Sequence, residues 1–285
     1  MTVHSRTRFG VLLFAIISLS CSIAFGQAHS INTGKNTEFC TGNNYSGDGR
    51  VNFKELRETP LAASGRISVD GGRNGGIVVK GSSRSDVLVR ACVQTWGSTD
   101  ADARAVAGSI RVSTGSTIKA EGSDHSNWAV SYEILVPRNT DLNLRAVNGG
   151  IAIASVEGRI EFETTNGAVK LSDLSGEVRG NTTNGGVKVE LSGSSWKGGG
   201  LDVTTTNGGV ALTVPEGYSA NFEMGTSNGG FKSDISALNV TQEDYKGHEY
   251  GRSRNTRLNT VLNGGGPAIR IMTTNGGVKI NSAKN

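Results

Sequence analysis

The stretch NYSGDGRVNFKE (44–55) sets oxygen-bearing side chains at the spacing of a calcium-binding loop, with Asn44, Ser46, Asp48, Asn52 and Glu55 as ligands and Gly49 at the turn. A hard cation collects several oxygens from alternating loop positions, which is why such a loop spaces its ligands by two. Asn44, however, occupies the position an aspartate should hold, and NTGKNTEFCTG ahead of it is a poor helix. With only two carboxylates the site would be weak. The plainer reading is a glycine-rich turn leading into a short helix over VNFKELRET, so no metal and no other cofactor is assigned. The histidines do not alter this: His4, His29, His125 and His248 lie far apart without partner ligands.

Acid–base chemistry on a polysaccharide needs two carboxylates at a set separation, or a base beside a charge-stabilising cation. Asp173, Glu177, Glu190, Asp202, Glu216, Glu223 and Asp234 are spread along the second half of the chain with no Asp-Asp pair among them. A cleaving enzyme would use neighbours such as Asp202 and Glu223, and that is the alternative carried forward. GSSRSD and SGSSW offer serines but no nearby structured histidine to activate one. Trp96, Trp128 and Trp196 have the surface to stack on sugars, although isolated tryptophans more often plug a core or a corner. The reading is therefore non-catalytic.

The elements that position these residues are written in a repeat. TTNGGV occurs at 182–187, 205–210 and 273–278, and the Asn-Gly pairs fall at Asn148, Asn166, Asn184, Asn207, Asn228 and Asn275, at intervals of 18, 18, 23, 21 and 47 residues. The last interval is two periods. A period of this size marks a solenoid, whose single turns cannot bury their own apolar faces and must stack. Within each turn the side chains alternate, as in Val169 and Leu171, Val187 and Val189, Val210, Leu212 and Val214, and Val278 with Ile280. Alternation at period two puts one face inside and the other in water. Lys170, Lys188, Lys232 and Lys279 recur on the outward side.

Asn and Gly adopt a left-handed backbone more readily than other residues, so Asn-Gly-Gly suits a sharp corner, and stacked turns would place the asparagines in a ladder. The fold class expected is all-β, a single-stranded β-solenoid with TTNGG corners at an 18–23-residue period and a small irregular N-terminal segment. Hairpins with type I′ turns in an antiparallel sandwich are the competing geometry. Thr99 or Asp100 caps a short helix over DADARAVAG. Residues 239–264, rich in charge over NVTQEDYKGHEYGRSRNTR, read as an exposed loop or a degenerate coil.

MTVHSRTRFG carries Arg6 and Arg8 before the apolar VLLFAIISLSCSIAF and the small residues Ala24 and Gly26, the order of a secretory signal peptide cut after Gly26. Lipidation at Cys21 and an uncleaved anchor are the lesser alternatives. Cleavage leaves 259 residues, 27 basic against 25 acidic, with 39 glycines, about twice the usual share. A chain so near neutrality, without a dense basic run, is not a nucleic-acid binder. Two cysteines remain, Cys40 and Cys92, and an even pair in an exported chain is most simply a disulfide, with two buried thiols as the alternative.

WAVSYEILVPRNTDLNLRAVNGGIAIASVEGRIEFETTNGAVKLSDLSGEVRGNTTNGGVKVEL (128–191) resembles the bacterial putative-adhesin domain of unknown function, the toastrack-type β-strand repeat family, over most of residues 66–285, VDGGRNGGIVVKG (69–81) included. The resemblance implies a stacked β-solenoid and placement in the envelope, and it brings no catalytic residues. Ala168 in place of a second glycine and Val147 in place of a threonine depart from its pattern. The expected organisation is a signal peptide (1–26), a polar N-terminal cap (27–65) and a repeat domain (66–285). The expected protein is an exported scaffold or adhesin-like binding module of the periplasm, outer envelope or extracellular space. It would have no transmembrane helix in the mature chain, and an envelope protein or polysaccharide as partner.

Overall fold

The computed structural model describes residues 38–41, 49–122, 127–238, 241–242 and 256–283. Strands dominate. In chain order they are β1 (Val51–Ala62), β2 (Arg66–Asp70), β3 (Ile77–Ser82), β4 (Asp86–Gly97), β5 (Arg111–Thr114), β6 (Ile118–Glu121), β7 (Trp128–Pro137), β8 (Asp141–Ala146), β9 (Ile151–Ala154), β10 (Glu157–Thr164), β11 (Val169–Ser172), β12 (Ser175–Thr182), β13 (Val187–Glu190), β14 (Gly200–Asn207), β15 (Val210–Val214), β16 (Ala220–Asn228), β17 (Phe231–Ser233), β18 (Thr241–Gln242), β19 (Thr256–Leu262), β20 (Ala268–Asn275) and β21 (Val278–Ser282). Among the described residues two helices accompany them, α1 (Glu38–Thr41) and α2 (Asp100–Ser109). No helix among the described residues is long and apolar enough to cross a membrane.

The strands form two long mixed sheets. Sheet I runs β1-β4-β7-β3-β9-β11-β13-β15-β21-β17, and sheet II runs β18-β19-β16-β20-β14-β12-β10-β8-β2-β6-β5. From β8 to β17 the chain alternates between them, so each coil gives one strand to sheet II and the next to sheet I. Successive coils pair in parallel: Val169, Val187, Val210 and Val278 stand in register across sheet I. Leu142, Ile160, Val178, Leu201, Ile269 and Phe222 do the same across sheet II. Both rows are buried in one apolar core between the sheets. The alternating sequence explains why: half of each strand's side chains leave water, and no coil offers a second surface against which to hide them alone. The Asn-Gly corners join strands of different sheets, so they are not hairpin turns.

The stacking order departs from the chain order. β20 pairs with β14 on one side and with β16 on the other, and β21 lies between β15 and β17. The coil formed last is thus inserted between two formed earlier, which a solenoid wound strictly in sequence would not do. Three of the four sheet ends are antiparallel as well: β4 pairs with β1 and β7, β19 pairs with β16 and β18, and β5 pairs with β6. Such long or reversed strands cover open sheet edges that would otherwise invite pairing with another chain.

Two local expectations are corrected. VNFKELRET is strand, not helix, because β1 pairs with β4 along its whole length from Val51 opposite Gly97 to Ala62 opposite Asp86; the ladder outweighs the helix propensity of Lys, Glu, Leu and Arg. Of the two readings of 239–264, the loop fails at residues 241–242 and 256–262, which are strands, and the coil fails because β19 pairs antiparallel, supplying Leu258 and Leu262 to the core. Helix α2 forms where expected, with Thr99 and Asp102 closing a reciprocal capping box. The proposed cleavage site, Cys21, and the histidines at 4, 29, 125 and 248 lie outside the described residues.

Candidate functional site

Each corner is built from three residues with separate tasks. The first threonine is buried and donates its hydroxyl to the carbonyl of the first glycine on the neighbouring coil: Thr164 to Gly149, Thr182 to Gly167, Thr205 to Gly185 and Thr273 to Gly208 at 2.8 Å, and Thr226 to Gly276 at 2.7 Å. The asparagines form a continuous amide ladder in the order Asn74, Asn148, Asn166, Asn184, Asn207, Asn275 and Asn228, with N···O distances of 2.7–3.1 Å. Asn275 sits between Asn207 and Asn228, as the inserted coil requires. The first glycine has no room for a side chain. A Cβ on Gly185 would stand 2.0 Å from the Gly167 carbonyl oxygen. The second glycine is freer, for a Cβ on Gly186 meets nothing nearer than 3.4 Å, and this explains how Ala168 fits at the equivalent corner.

The opposite corners use other chemistry. Asp173, at φ 50°, accepts hydrogen bonds from Ser192 (2.6 Å), Ser155 (2.8 Å) and Arg138 (3.2 Å). The Ser192 bond, aided by Ser155 and Arg138, holds its carboxyl below the ordinary carboxylate range.

On the outer face of sheet II the charges alternate in sign from coil to coil. Glu161, Arg179, Asp202, Arg270 and Glu223 stand in one register row. Arg270 lies 2.7 Å from Asp202 and 3.5 Å from Glu223, so one cation holds both carboxylates of the cleaving-enzyme alternative. Glu177 pairs with Arg179 (2.9 Å) and Arg159 (3.3 Å), and Asp234 accepts the Ser282 amide (2.6 Å). Glu216 is exposed at a turn. Elsewhere, Asp86, Glu121, Asp173 and Glu190 are pushed toward the ionised form, in each case first by a side-chain hydrogen bond: from Arg84, Lys119, Ser192 and Lys188 respectively.

The outer face of sheet I is different. Lys170 and Lys188 stand in register, Ala211 follows, and Lys279 and Lys232 continue the same row. All four lysines are exposed. Beside them the second corner residues Ala168, Gly186, Gly209, Gly277 and Gly230 floor an open groove of about 760 Å³. At Ala168 this groove meets a second one of about 730 Å³, bounded by Asn74, Gly76, Gln94, Trp96 and Ser131. Cys92 also lines it, and the Cys40–Cys92 disulfide, Cα atoms 5.5 Å apart, ties α1 to β4.

Beside that tether lies a site the sequence reading missed. Glu133 is only 4 % exposed and meets Lys80 at 2.7 Å and Arg90, which also bonds Glu58 at 2.9 Å. An acid inside the apolar run SYEILV was the available signal. Of the calcium-loop candidates, Asn52 and Glu55 lie on β1, where Glu55 pairs with Arg57; Asn44, Ser46 and Asp48 lie outside the described residues. Trp128 and Trp196 are buried in the core, with the Trp196 indole donating to the Gly176 carbonyl at 2.9 Å, while Trp96 borders the second groove.

Coils stacked through Thr, Asn and Gly corners, with one charge-balanced face and one basic face, define a β-repeat protein of the toastrack class. The chain belongs to the Toastrack DUF4097 family, whose family model matches residues 62–281. Among solved structures it is similar to a putative cell adhesion protein from Clostridium sporogenes, at 10% identity and TM-score 0.41 over 81% of this chain and 100% of that one. It is also similar to a putative adhesin from Bacteroides fragilis (12% identity, TM-score 0.33, 81% and 97% covered) and to a putative lipid binding protein from Parabacteroides distasonis (12%, 0.31, 81% and 97%). No curated protein matches the chain.

Proposed function

We propose that the chain is an exported, non-catalytic β-solenoid with TTNGG corners that serves as a scaffold or adhesin-like binding module of the cell envelope. The observation that carries this reading is the continuity of the corner ladder through seven coils, which spends its polar groups on stacking and leaves long, stiff outer faces. Seven coils at about 4.8 Å each give roughly 30 Å of repetitive surface. Where a cleaving enzyme would need two carboxylates in different protonation states, Arg270 compensates Asp202 and Glu223 together. The disulfide fits an oxidising compartment, in keeping with export behind the leader in residues 1–26.

The test is sedimentation of the purified chain with envelope material from its own cells, combined with an assay for reducing ends and unsaturated products. Saturable co-sedimentation without product release is expected. Product release that disappears in Asp202→Asn or Glu223→Gln would establish the cleaving enzyme instead.

A further inference from the structure

The two outer faces differ in one respect that points to a ligand. In the central row of sheet II, from Glu161 to Glu223, each charge stands beside its opposite, whereas on sheet I four lysines share one row and meet a single neighbouring carboxylate among the described residues. Glu190 lies 2.7 Å from Lys188 and 4.0 Å from Lys170. Lys279 and Lys232 pair with no carboxylate among the described residues. Like charges directly opposite on adjacent strands are destabilising, and nothing in the core requires them, since Ala211 occupies the same row without a charge. The row therefore costs stability and is not explained by folding.

Its geometry favours one kind of occupant. Adjacent lysines recur at the strand spacing of about 4.8 Å and run across the strands, so a ligand meeting all four must be extended and must lie along the stacking direction. The floor beside them is backbone, because the second corner position carries only glycine or Ala168, and a flat polymer can lie against it without displacing side chains. No aromatic residue lines this groove. Single-stranded nucleic acids depend on aromatic platforms for base stacking as well as on a basic track. A polysaccharide bearing carboxylates has no bases to stack and can be held through its repeated charges by the basic track.

We infer that the row Lys170, Lys188, Lys279 and Lys232, with its glycine-floored groove, binds a linear carboxylate-bearing polysaccharide along the axis of the coils. This rests on the binding-module reading above and names its site and ligand class.

The experiment uses the purified full chain and polygalacturonate as probe, with uncharged dextran and single-stranded polydeoxythymidine in parallel arms, followed by titration calorimetry at low salt. One variant changes all four lysines to serine. A second removes the same charge elsewhere, through Arg66→Ser, Arg73→Ser, Lys119→Ser and Lys197→Ser. A third changes the four lysines to arginine. The chain should bind polygalacturonate and not dextran, with affinity falling as salt rises; the groove variant should bind at least about tenfold more weakly, while the other two stay within about threefold of the parent. Thermal melts of the arginine variant verify that the row can be altered without loss of fold. Equal loss in the groove and control variants would overturn the site, as would tighter binding to polydeoxythymidine. If the groove variant still co-sediments with envelope material and retains polygalacturonate affinity, the lysine site fails while the envelope-binding reading stands.

Discussion

At the scale of the residue, the two glycines of each corner are not equivalent. The first sits where the neighbouring coil's carbonyl leaves no volume, and the second faces the open groove. Gly185→Ala should therefore cost several kcal/mol, because the obstructing atom is backbone and cannot rotate away, whereas Gly186→Ala should stay within about 1 kcal/mol, since the equivalent corner already carries Ala168. Urea denaturation of the two variants makes the comparison, and equal losses would mean the corners are not packed as described. Asp173 supports a second prediction. Its carboxyl is held below the ordinary value, so its contribution to stability is present above the unfolded pKa and is lost as pH falls through the lower folded value. Asp173→Asn keeps a side chain that tolerates φ 50° and removes the titration. Between about pH 5 and pH 2 the variant's melting temperature should fall less steeply than the parent's.

At the scale of the element, the inserted coil has an electrostatic reason. Were β16 stacked directly on β14, as chain order would have it, Glu223 would face Asp202; β20 places Arg270 between them instead. Arg270→Glu would line up three acids in one row and should destabilise by about 1 kcal/mol at low salt, the modest figure reflecting half-exposed partners. Chemical denaturation at two salt concentrations checks this, because raising salt should recover much of the loss. The example also shows where the sequence stops being informative. The alternation of Val187, Val189, Val210 and Leu212 announces each strand and its buried face, and the TTNG phrase announces each corner. The order of stacking is not legible in those features, since every coil presents nearly the same apolar row to either neighbour. Only the charges distinguish neighbours, and their meaning depends on a register that a single chain does not display. VNFKELRET was misread for a related reason: its partner β4 lies more than thirty residues along the chain for most pairs, beyond the reach of local propensity. The lysine row was visible as recurring outward residues, but its continuity across Ala211 emerges only when Lys279 is placed beside Lys232.

At the scale of the whole molecule, the coils grow from one end that is tied down by chemistry of a different kind. Cys40 joins β4 across 52 residues of chain, and the attached helix α1 brings Phe39 to within 5.8 Å of the Arg90 guanidinium, beside Glu133. Burying Glu133 is tolerable because two cations meet it, and exposing or unpairing that cluster would remove the compensation. Closing a loop of this length restricts the unfolded chain by on the order of 4 kcal/mol, less any strain in the tether. On the exported reading the bond would persist, because such a compartment is oxidising. On the same reading, protein recovered from the native envelope should begin at Gln27 or within a residue or two, and its intact mass should be two hydrogens below that of the fully reduced chain. Reduction should then lower the melting temperature and leave sheet content largely intact, because the repeat coils make their own core. A mass showing a lipid on Cys21 would contradict the cleavage after Gly26, and two freely alkylated thiols in envelope-derived protein would contradict the tether.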